Sequence, residues 1–325
     1  FFTTSPKLTG PDFFGDDNLQ LTSTEEATEK VISFKARGYD FIKTYYGLTE
    51  ELFDAVIAQA TLSKMDVIAH PTPKVPYAYH FNPQIATIEH AEDIVQQPLN
   101  YKLDGVKLNA VIDQYANATH TSMSPTLIVY HNIYKMLVDD KILSSEQIEM
   151  MNPLIRMVDS KQQFERWANT KANDSTIVDR IKKQHEFHLS IINKLNQRGV
   201  NIVSSTDAGI GITVPGLSIH QELAFYKEAG LSNYEVLKTA TVNASKVHQL
   251  MNNMGTIETD KIANLLLVDE NPFTNLATLQ KPSTVFIKGR ALNRNMLNEF
   301  ENKAKGRKNL MASALRYLEY LLVER

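Results

Sequence analysis

Four polar residues, each placed directly after a short apolar run, are the positions in this sequence best suited to chemistry. They are Lys43, His70, His90 and Asp207. A buried parallel strand is a near-continuous apolar run, and the side chains at its carboxyl end face the ligand in barrels. Two imidazoles, a carboxylate and a lysine that converge on one such edge predict a metal site.

The spacing of the first three residues predicts the elements that must position them. Lys43 and His70 are 27 residues apart, and His70 and His90 are 20 residues apart. One strand and one helix with their connections fill such an interval, so these residues are predicted to end adjacent parallel strands. The strands are predicted over residues 39–46, 65–69 and 87–89, and the helices around them over 23–37 and 49–62.

Further along, the sequence predicts more helices, two more strands and a small sheet. A Leu-Ile-Val-Tyr run within residues 124–132 is predicted to be a strand, and residues 201–205 are predicted to be the strand that leads to Asp207. Short apolar runs that alternate with turn residues after Gly255 predict a small antiparallel sheet. The helices are predicted over residues 103–115, 144–151, 155–173, 174–199 and 298–325.

The order of these segments resembles the metal-dependent amidohydrolase superfamily, and specifically its imidazolonepropionase-like and Xaa-Pro dipeptidase-like branch. No single motif is decisive, but the order and spacing of the motifs are specific across roughly residues 2–292. The resemblance rests on ARGYDFIKTYY (36–46), DVIAHP (66–71), ATIEHAED (86–93), VSSTDAG (203–209) and the stretches 215–250, 255–272 and 285–292.

The resemblance implies an α/β fold of the (β/α)8 TIM-barrel amidohydrolase type with a small β-sandwich lobe. The implied domains are a metal-dependent barrel over 1–250, the lobe over 251–295 and a C-terminal helical extension over 296–325. The family's His-x-His signature does not occur here, and FFTTSPKLTGPDFFG at the start resembles the loop after the third barrel strand. The expectation is therefore a barrel that is incomplete at its N-terminus, with five or six strand candidates where eight are needed.

The resemblance also implies a mechanism, in which a metal-activated hydroxide cleaves the C–N bond of an amide, a cyclic amide or a dipeptide. Lys43 would be carboxylated and would bridge two divalent ions, zinc or similar, because an unmodified ammonium has no lone pair for a metal. His70 and His90 would bind these ions. Asp207 would bind one of them and serve as general acid and base.

Four further residues are predicted to face the substrate. Tyr130 and His131 lie at the C-terminal end of the apolar run predicted as a strand within residues 124–132, His220 follows Asp207, and Tyr77 lies in the loop after His70. Each residue of the predicted site also has an ordinary structural interpretation when taken alone. For the remaining histidines that ordinary interpretation is preferred, and they are His80, His120, His185, His188 and His248.

Composition narrows the function classes. A net charge of −3 without a basic stripe disfavours nucleic-acid binding, and no apolar run approaches the eighteen residues of a membrane span. The absence of cysteine excludes disulfides, thiol nucleophiles and cysteine zinc sites, and it fits the cytosol or the periplasm. The expected partner is a small-molecule amide or dipeptide. Assembly into a homo-oligomer is compatible with the sequence. The rival functions are a one-metal deaminase, which uses no bridging lysine, and a non-catalytic binding or scaffold protein.

Overall fold

A parallel sheet lies at the centre of the protein, whose computed structural model describes residues 2–11 and 18–324. Within these ranges the sheet has six strands, in the spatial order β2-β1-β3-β4-β5-β6 once they are numbered along the chain. The strands are β1 (Thr4–Thr9), β2 (Asn18–Gln20), β3 (Phe41–Thr44), β4 (Asp66–Ala69), β5 (Ile85–Glu89) and β6 (Ser122–Ser124). Beyond β6, Ile202 adds an isolated parallel bridge to Met123.

Helices connect and cover the strands. The helices are α1 (Thr24–Ala36), α2 (Glu50–Leu62), α3 (Ala91–Gln96), α4 (Gly105–Asn117), α5 (Leu127–Val138), α6 (Pro153–Ile155), α7 (Lys161–Asn173), α8 (Ile177–Gln197), α9 (Ser218–Glu228), α10 (Asn233–Thr239), α11 (Arg294–Lys305) and α12 (Leu310–Glu324). A second, antiparallel sheet contains β7 (Leu265–Leu267), β8 (Thr284–Ile287) and β9 (Arg290–Asn293). This sheet agrees with the small antiparallel sheet expected after Gly255, while the three domain boundaries stay predictions.

The helices before and after β3 begin where their capping residues predict. Ser23 accepts a hydrogen bond from the N–H of Glu26 at the start of α1, and Thr49 accepts one from Leu52 at the start of α2. These side chains satisfy N–H groups that have no partner inside the helix. The two helices therefore confirm the predictions over residues 23–37 and 49–62.

The two faces of the sheet are both buried, but by different parts of the chain. Ile42 and Val67 belong to the main core, whereas Phe41 and Ile68 form a small cluster on the other face. Side chains alternate between faces along a strand, so Lys43 lies on the face of Phe41. In the register between the strands, Lys43 is opposite Ile68 in β4. This pairing brings Lys43 close to the end of β4, where His70 follows.

The predicted strand at residues 124–132 is wrong, because its apolar run belongs to helix α5. The strand β6 ends at Ser124, and Thr126 then turns the chain with φ 53° and ψ 42°. Leu127 and Ile128 are buried in the first turn of α5, and Met136 is buried on the same helix. A run of four apolar residues fits both a buried strand and a buried helix turn, so periodicity does not distinguish them.

Two other segments also differ from the predictions. Residues 201–205 were expected to form a strand, but only Ile202 pairs with the sheet. The opening residues were expected to form a loop, yet Thr4–Thr9 is β1 and pairs in parallel with β3. Residues 1 and 12–17 of that opening segment lie outside the described residues.

No helix in the described part of the chain combines the length and the apolar character that crossing a membrane requires.

Gly10 follows β1 at a close approach of two backbone segments, which predicts a strong effect on stability. A Cβ atom added at Gly10 would collide with the backbone carbonyl of Gly47. We expect Gly10→Ala to lower the free energy of unfolding by about 1–3 kcal/mol, as overpacking does. The matched control is Gly105→Ala, where the added Cβ meets no atom within 4 Å of the described structure. Urea unfolding of both variants tests the prediction, which fails if their midpoints are equal.

Candidate active site

Three of the predicted site residues meet at the carboxyl edge of the parallel sheet. Lys43 lies near the end of β3, His70 directly follows β4, and His90 directly follows β5. The ring centroids of His70 and His90 are 4.7 Å apart. The Lys43 Nζ atom forms an ion pair with the Glu89 carboxylate, whose Oε2 atom is 3.9 Å from His90 Nε2. These three side chains therefore lie together at one edge of the sheet, as their positions after apolar runs predict.

His70 is a buried imidazole whose two ring nitrogens form no hydrogen bond within the described residues. Its Nε2 atom is 3.5 Å from Oδ2 of Asp93, a buried oxygen that also has no hydrogen-bond partner among those residues. The rings of Tyr45 and Tyr46 lie against the imidazole, with centroids at 4.5 and 5.1 Å. Buried polar atoms without partners cost free energy, so this arrangement indicates that a further group binds here.

Lys43 has an altered protonation equilibrium in the folded protein. Burial lowers the pKa of Lys43 to about 7, while the carboxylates of Asp207 and Asp93 oppose that shift. A lysine with this pKa carries a large fraction of neutral amine near pH 7, whereas an ordinary lysine is almost fully charged. The neutral amine is the form that reacts as a nucleophile.

His90 is held in an unusual backbone conformation by contacts with the segment after β6. Its φ is 68°, a value uncommon for a residue other than glycine. The His90 N–H donates to the carbonyl of Ser124, and its Nδ1 atom is 2.8 Å from Thr126 Oγ1. Burial, assisted by the nearby Lys43 charge, lowers the pKa of His90 to about 3, so the ring is neutral at physiological pH.

Asp207 follows the Ile202 bridge, and its negative charge acts on ionisable groups at this edge of the sheet. Its φ is 51°, so, like His90, it has a positive φ that is uncommon for a residue other than glycine. Its carboxylate raises the pKa of Lys43 and also that of the buried Glu92. The field of Asp207 therefore reaches the strand ends that carry the other site residues.

The donor atoms at this edge fit part of a metal centre. Across residues 2–11 and 18–324, no three or more His, Asp or Glu side chains are placed closely enough to share one ion. The unpartnered nitrogens of His70 and the unpartnered oxygen of Asp93 are nevertheless atoms that zinc accepts. With Lys43 as an ammonium, the edge has imidazoles and carboxylates but no anionic group on β3.

Two predicted substrate residues lie beside this edge. The Tyr130 hydroxyl accepts a hydrogen bond from Gln96 Nε2, and Gln96 Oε1 accepts one from the Tyr46 hydroxyl, both at 3.3 Å. The Tyr77 hydroxyl is 2.8 Å from the Tyr115 hydroxyl. Tyr46 and Tyr77 line a cavity of about 540 Å³. Because the ring of Tyr46 also contacts His70, this cavity adjoins the candidate site.

The other two predicted substrate residues lie among helices. The ring of His131 packs against His185 and Phe225, with centroids at 5.6 and 4.9 Å, where α5 meets α8 and α9. His220 lies on α9, where partial burial lowers its pKa. Neither placement supplies a contact with the strand ends that hold His70 and His90, so their roles stay predictions.

Three residues near the edge escaped the sequence analysis, namely Asp93, Thr126 and Glu222. Asp93 lies one helical turn after His90 in the acidic run EHAED, a signal that could have been used. Thr126 and Glu222 carry no such signal. In the sequence, Thr126 cannot be distinguished from an ordinary helix cap, and Glu222 cannot be distinguished from an ordinary surface glutamate. Glu222 is in fact fully buried.

The sequence profile of the amidohydrolase family matches residues 57–292, well over half of the chain. The chain belongs to the amidohydrolase family. Members of this family are hydrolases and generally use divalent metals. No curated protein matches the chain in a sequence search.

Solved structures confirm the fold. A bottromycin amidohydrolase superposes with a TM-score of 0.73 at 21% identity, over 93% of this chain and 67% of that one. An Xaa-Pro dipeptidase with bound methionine superposes with a TM-score of 0.58 at 17% identity, over 88% of this chain and 63% of that one. A Bifidobacterium longum protein described as a prolidase superposes with a TM-score of 0.59 at 20% identity, over 93% of this chain and 69% of that one. The chain thus spans about two thirds of these proteins and shares their α/β barrel-type fold, with a small antiparallel sheet.

Proposed function

We propose that this amidohydrolase hydrolyses the C–N bond of a small amide or dipeptide in a metal-dependent reaction. The observation that carries the proposal is the buried His70, whose ring nitrogens have no hydrogen-bond partner in the described chain, beside His90 and Lys43. The family's general use of divalent metals supports it. The neighbouring folds of a bottromycin amidohydrolase and two prolidase-type proteins support an amide or dipeptide as the substrate.

Four residues would hold the metal, namely His70, His90, Asp207 and a carboxylated Lys43. A divalent ion bound by them would lower the pKa of a water molecule and polarise the carbonyl oxygen of the substrate. The neutral amine of Lys43 would add to carbon dioxide and lose one proton, which leaves a carbamate of single negative charge. That change would break the ion pair between Lys43 and Glu89, because both groups would then be anionic.

Asp207 would move the proton. One of its carboxylate oxygens would accept the proton of the attacking water and then deliver it to the nitrogen of the leaving amine. A positioned carboxylate that does this accelerates such reactions by about 10²–10⁴-fold. The electrostatic influence of Asp207 on Lys43 supports this placement.

The cavity beside the site would receive the part of the substrate next to the scissile bond. Its walls include Tyr46, Tyr77 and Tyr101 and three prolines, so flat rings supply much of its surface, while Gln96 and Asn100 add amide groups. Such walls suit a ring or another compact apolar group with polar substituents.

One observation favours the rival function of a non-catalytic binding protein. Lys43 is paired with Glu89, and an ammonium held in such an ion pair has no lone pair for a metal. A protein that kept this ion pair permanently would have no bridging anion. The experiment below separates the two functions.

Metal loading tests the proposal directly. Metal-free protein is treated with zinc in bicarbonate buffer, freed of excess metal and measured for zinc per chain and for cleavage of N-acyl amino acids and Xaa-Pro dipeptides. We expect bound zinc, released amine and a higher Tm, since a ligand at 100 times its Kd stabilises the folded state by about 2.7 kcal/mol. Protein treated with magnesium provides the control. Absence of both zinc binding and cleavage would favour the binding protein.

A further inference from the structure

Glu222 is a buried carboxylate whose partners lie on a distant part of the chain. It is fully buried on α9, and its two oxygens accept hydrogen bonds from the N–H groups of Leu127 and Ile128 at 3.0 and 2.8 Å. These are the first two N–H groups of α5, which have no partner inside the helix. Glu222 thus caps a helix that begins about 95 residues earlier in the chain.

A local residue would ordinarily supply this cap. Thr126 precedes α5, but its side chain makes no capping bond to the helix in the described structure. Its hydroxyl instead lies 2.8 Å from His90 Nδ1. The threonine also has φ 53°, which is strained for a β-branched residue and requires support from its surroundings. The carboxylate of Glu222 supplies that support, because it fixes the two residues that follow Thr126.

The segment that Glu222 stabilises is the one that holds His90. The His90 N–H donates to the carbonyl of Ser124 at 2.8 Å, and the Ala91 N–H donates to that of Pro125 at 2.9 Å. Together with the Thr126 hydroxyl, these bonds connect residues 124–126 to the end of β5 by backbone and side chain. A shift of α5 would therefore move the hydroxyl that faces His90.

We propose that Glu222 is a positioning residue that holds the Thr126 hydroxyl against His90 Nδ1, so that Nε2 is the nitrogen left free to bind a metal. In this arrangement Nδ1 carries the proton, and its N–H donates a hydrogen bond to Thr126 Oγ1. The second hydrogen bond of a metal-binding imidazole sets its tautomer and its orientation. The inference rests on the proposed function only in assigning His90 as a ligand.

The tautomer of His90 in the metal-free protein gives the first test. Nitrogen-15 NMR of histidine-labelled protein at pH 8 reports which ring nitrogen carries the proton, and His90→Gln assigns the signal. Because burial raises the pKa of Glu222 to about 7, this pH keeps the carboxylate ionised. We expect wild type to be protonated at Nδ1, and Glu222→Gln to give a mixture, since one end of its amide cannot accept a backbone N–H.

Asp104→Asn is the matched control, because Asp104 caps α4 by accepting hydrogen bonds from the N–H groups of Val106 and Lys107. It should leave the His90 signal unchanged. An unchanged His90 tautomer in folded Glu222→Gln would overturn the proposal, as would wild-type His90 protonated at Nε2.

Variants of Thr126 keep the proposal testable if Glu222→Gln does not fold. We expect Thr126→Val to shift the tautomer and to weaken zinc binding by about 10–100-fold, the usual effect of losing such a partner. Thr126→Ser retains the hydroxyl and should restore the wild-type tautomer. Thr121→Val, which removes a buried hydroxyl bonded to the Ile85 carbonyl, is the control. Equal tautomers in Thr126→Val and wild type would refute the inference, whereas zinc binding absent from wild type would count against the proposed function alone.

Discussion

Replacing Lys43 by alanine is expected to lower kcat/KM for amide hydrolysis by about 10³-fold or more, since metal assistance contributes several kcal/mol to the transition state. The physical reason is the loss of the only amine among the predicted ligands, and with it of the anion that would hold two ions together. Zinc per chain should fall in the same variant. Elemental analysis and steady-state kinetics on one preparation measure both effects.

A small carboxylate makes the Lys43 test specific. If a carbamate bridges the metals, acetate or formate in the buffer can occupy the space left by the alanine variant and restore part of the activity. The exposed Lys107 supplies the control, and Lys107→Ala should behave as wild type. Full activity and full zinc content in Lys43→Ala would exclude the carboxylated-lysine mechanism.

Replacing Asp207 by asparagine is expected to lower kcat by about 10²–10⁴-fold, the usual contribution of a positioned general acid and base. Asparagine has the same shape and also tolerates a left-handed backbone, so the φ of 51° at this position is retained. The KM should change less than kcat, because the proton transfer matters in the transition state.

The chain contains a close backbone match for the Asp207 control. Asp260 also has a positive φ, 66°, and lies in the segment before the small sheet. Asp260→Asn should retain wild-type kcat, which would show that the amide substitution in this conformation is harmless. Equal losses in both variants, or a changed KM with unchanged kcat in Asp207→Asn, would contradict the assigned role.

The sequence predicts the convergence of Lys43, His70 and His90 because each residue closes an apolar run and the intervals suit parallel strands. That logic uses only local patterns, which persist in any fold built from strand–helix units. It fails at residues 127–130, where the same kind of apolar run forms the first turn of α5. The left-handed turn at Thr126 decides between strand and helix there, and a threonine gives no sign of that conformation.

The other features that the sequence does not predict depend on contacts between distant parts of the chain. Glu222 is buried because α5 begins beside it, and nothing near Glu222 in the chain indicates that partner. Asp93 faces His70 from the helix after β5, which depends on how α3 packs at the edge. The single bridge of Ile202, in place of a full strand, likewise depends on the neighbouring Met123.

His90, Thr126 and Asp207 all have positive φ values, and this sets a limit on how the protein can be stabilised by engineering. Such sparsely populated backbone angles cost on the order of 1–3 kcal/mol per residue that is not glycine. Glycine at any of the three positions would recover part of that cost while removing a side chain of the candidate site. A screen for thermal tolerance alone would therefore enrich inactive variants at these positions, so gains in heat resistance should be sought elsewhere in the chain.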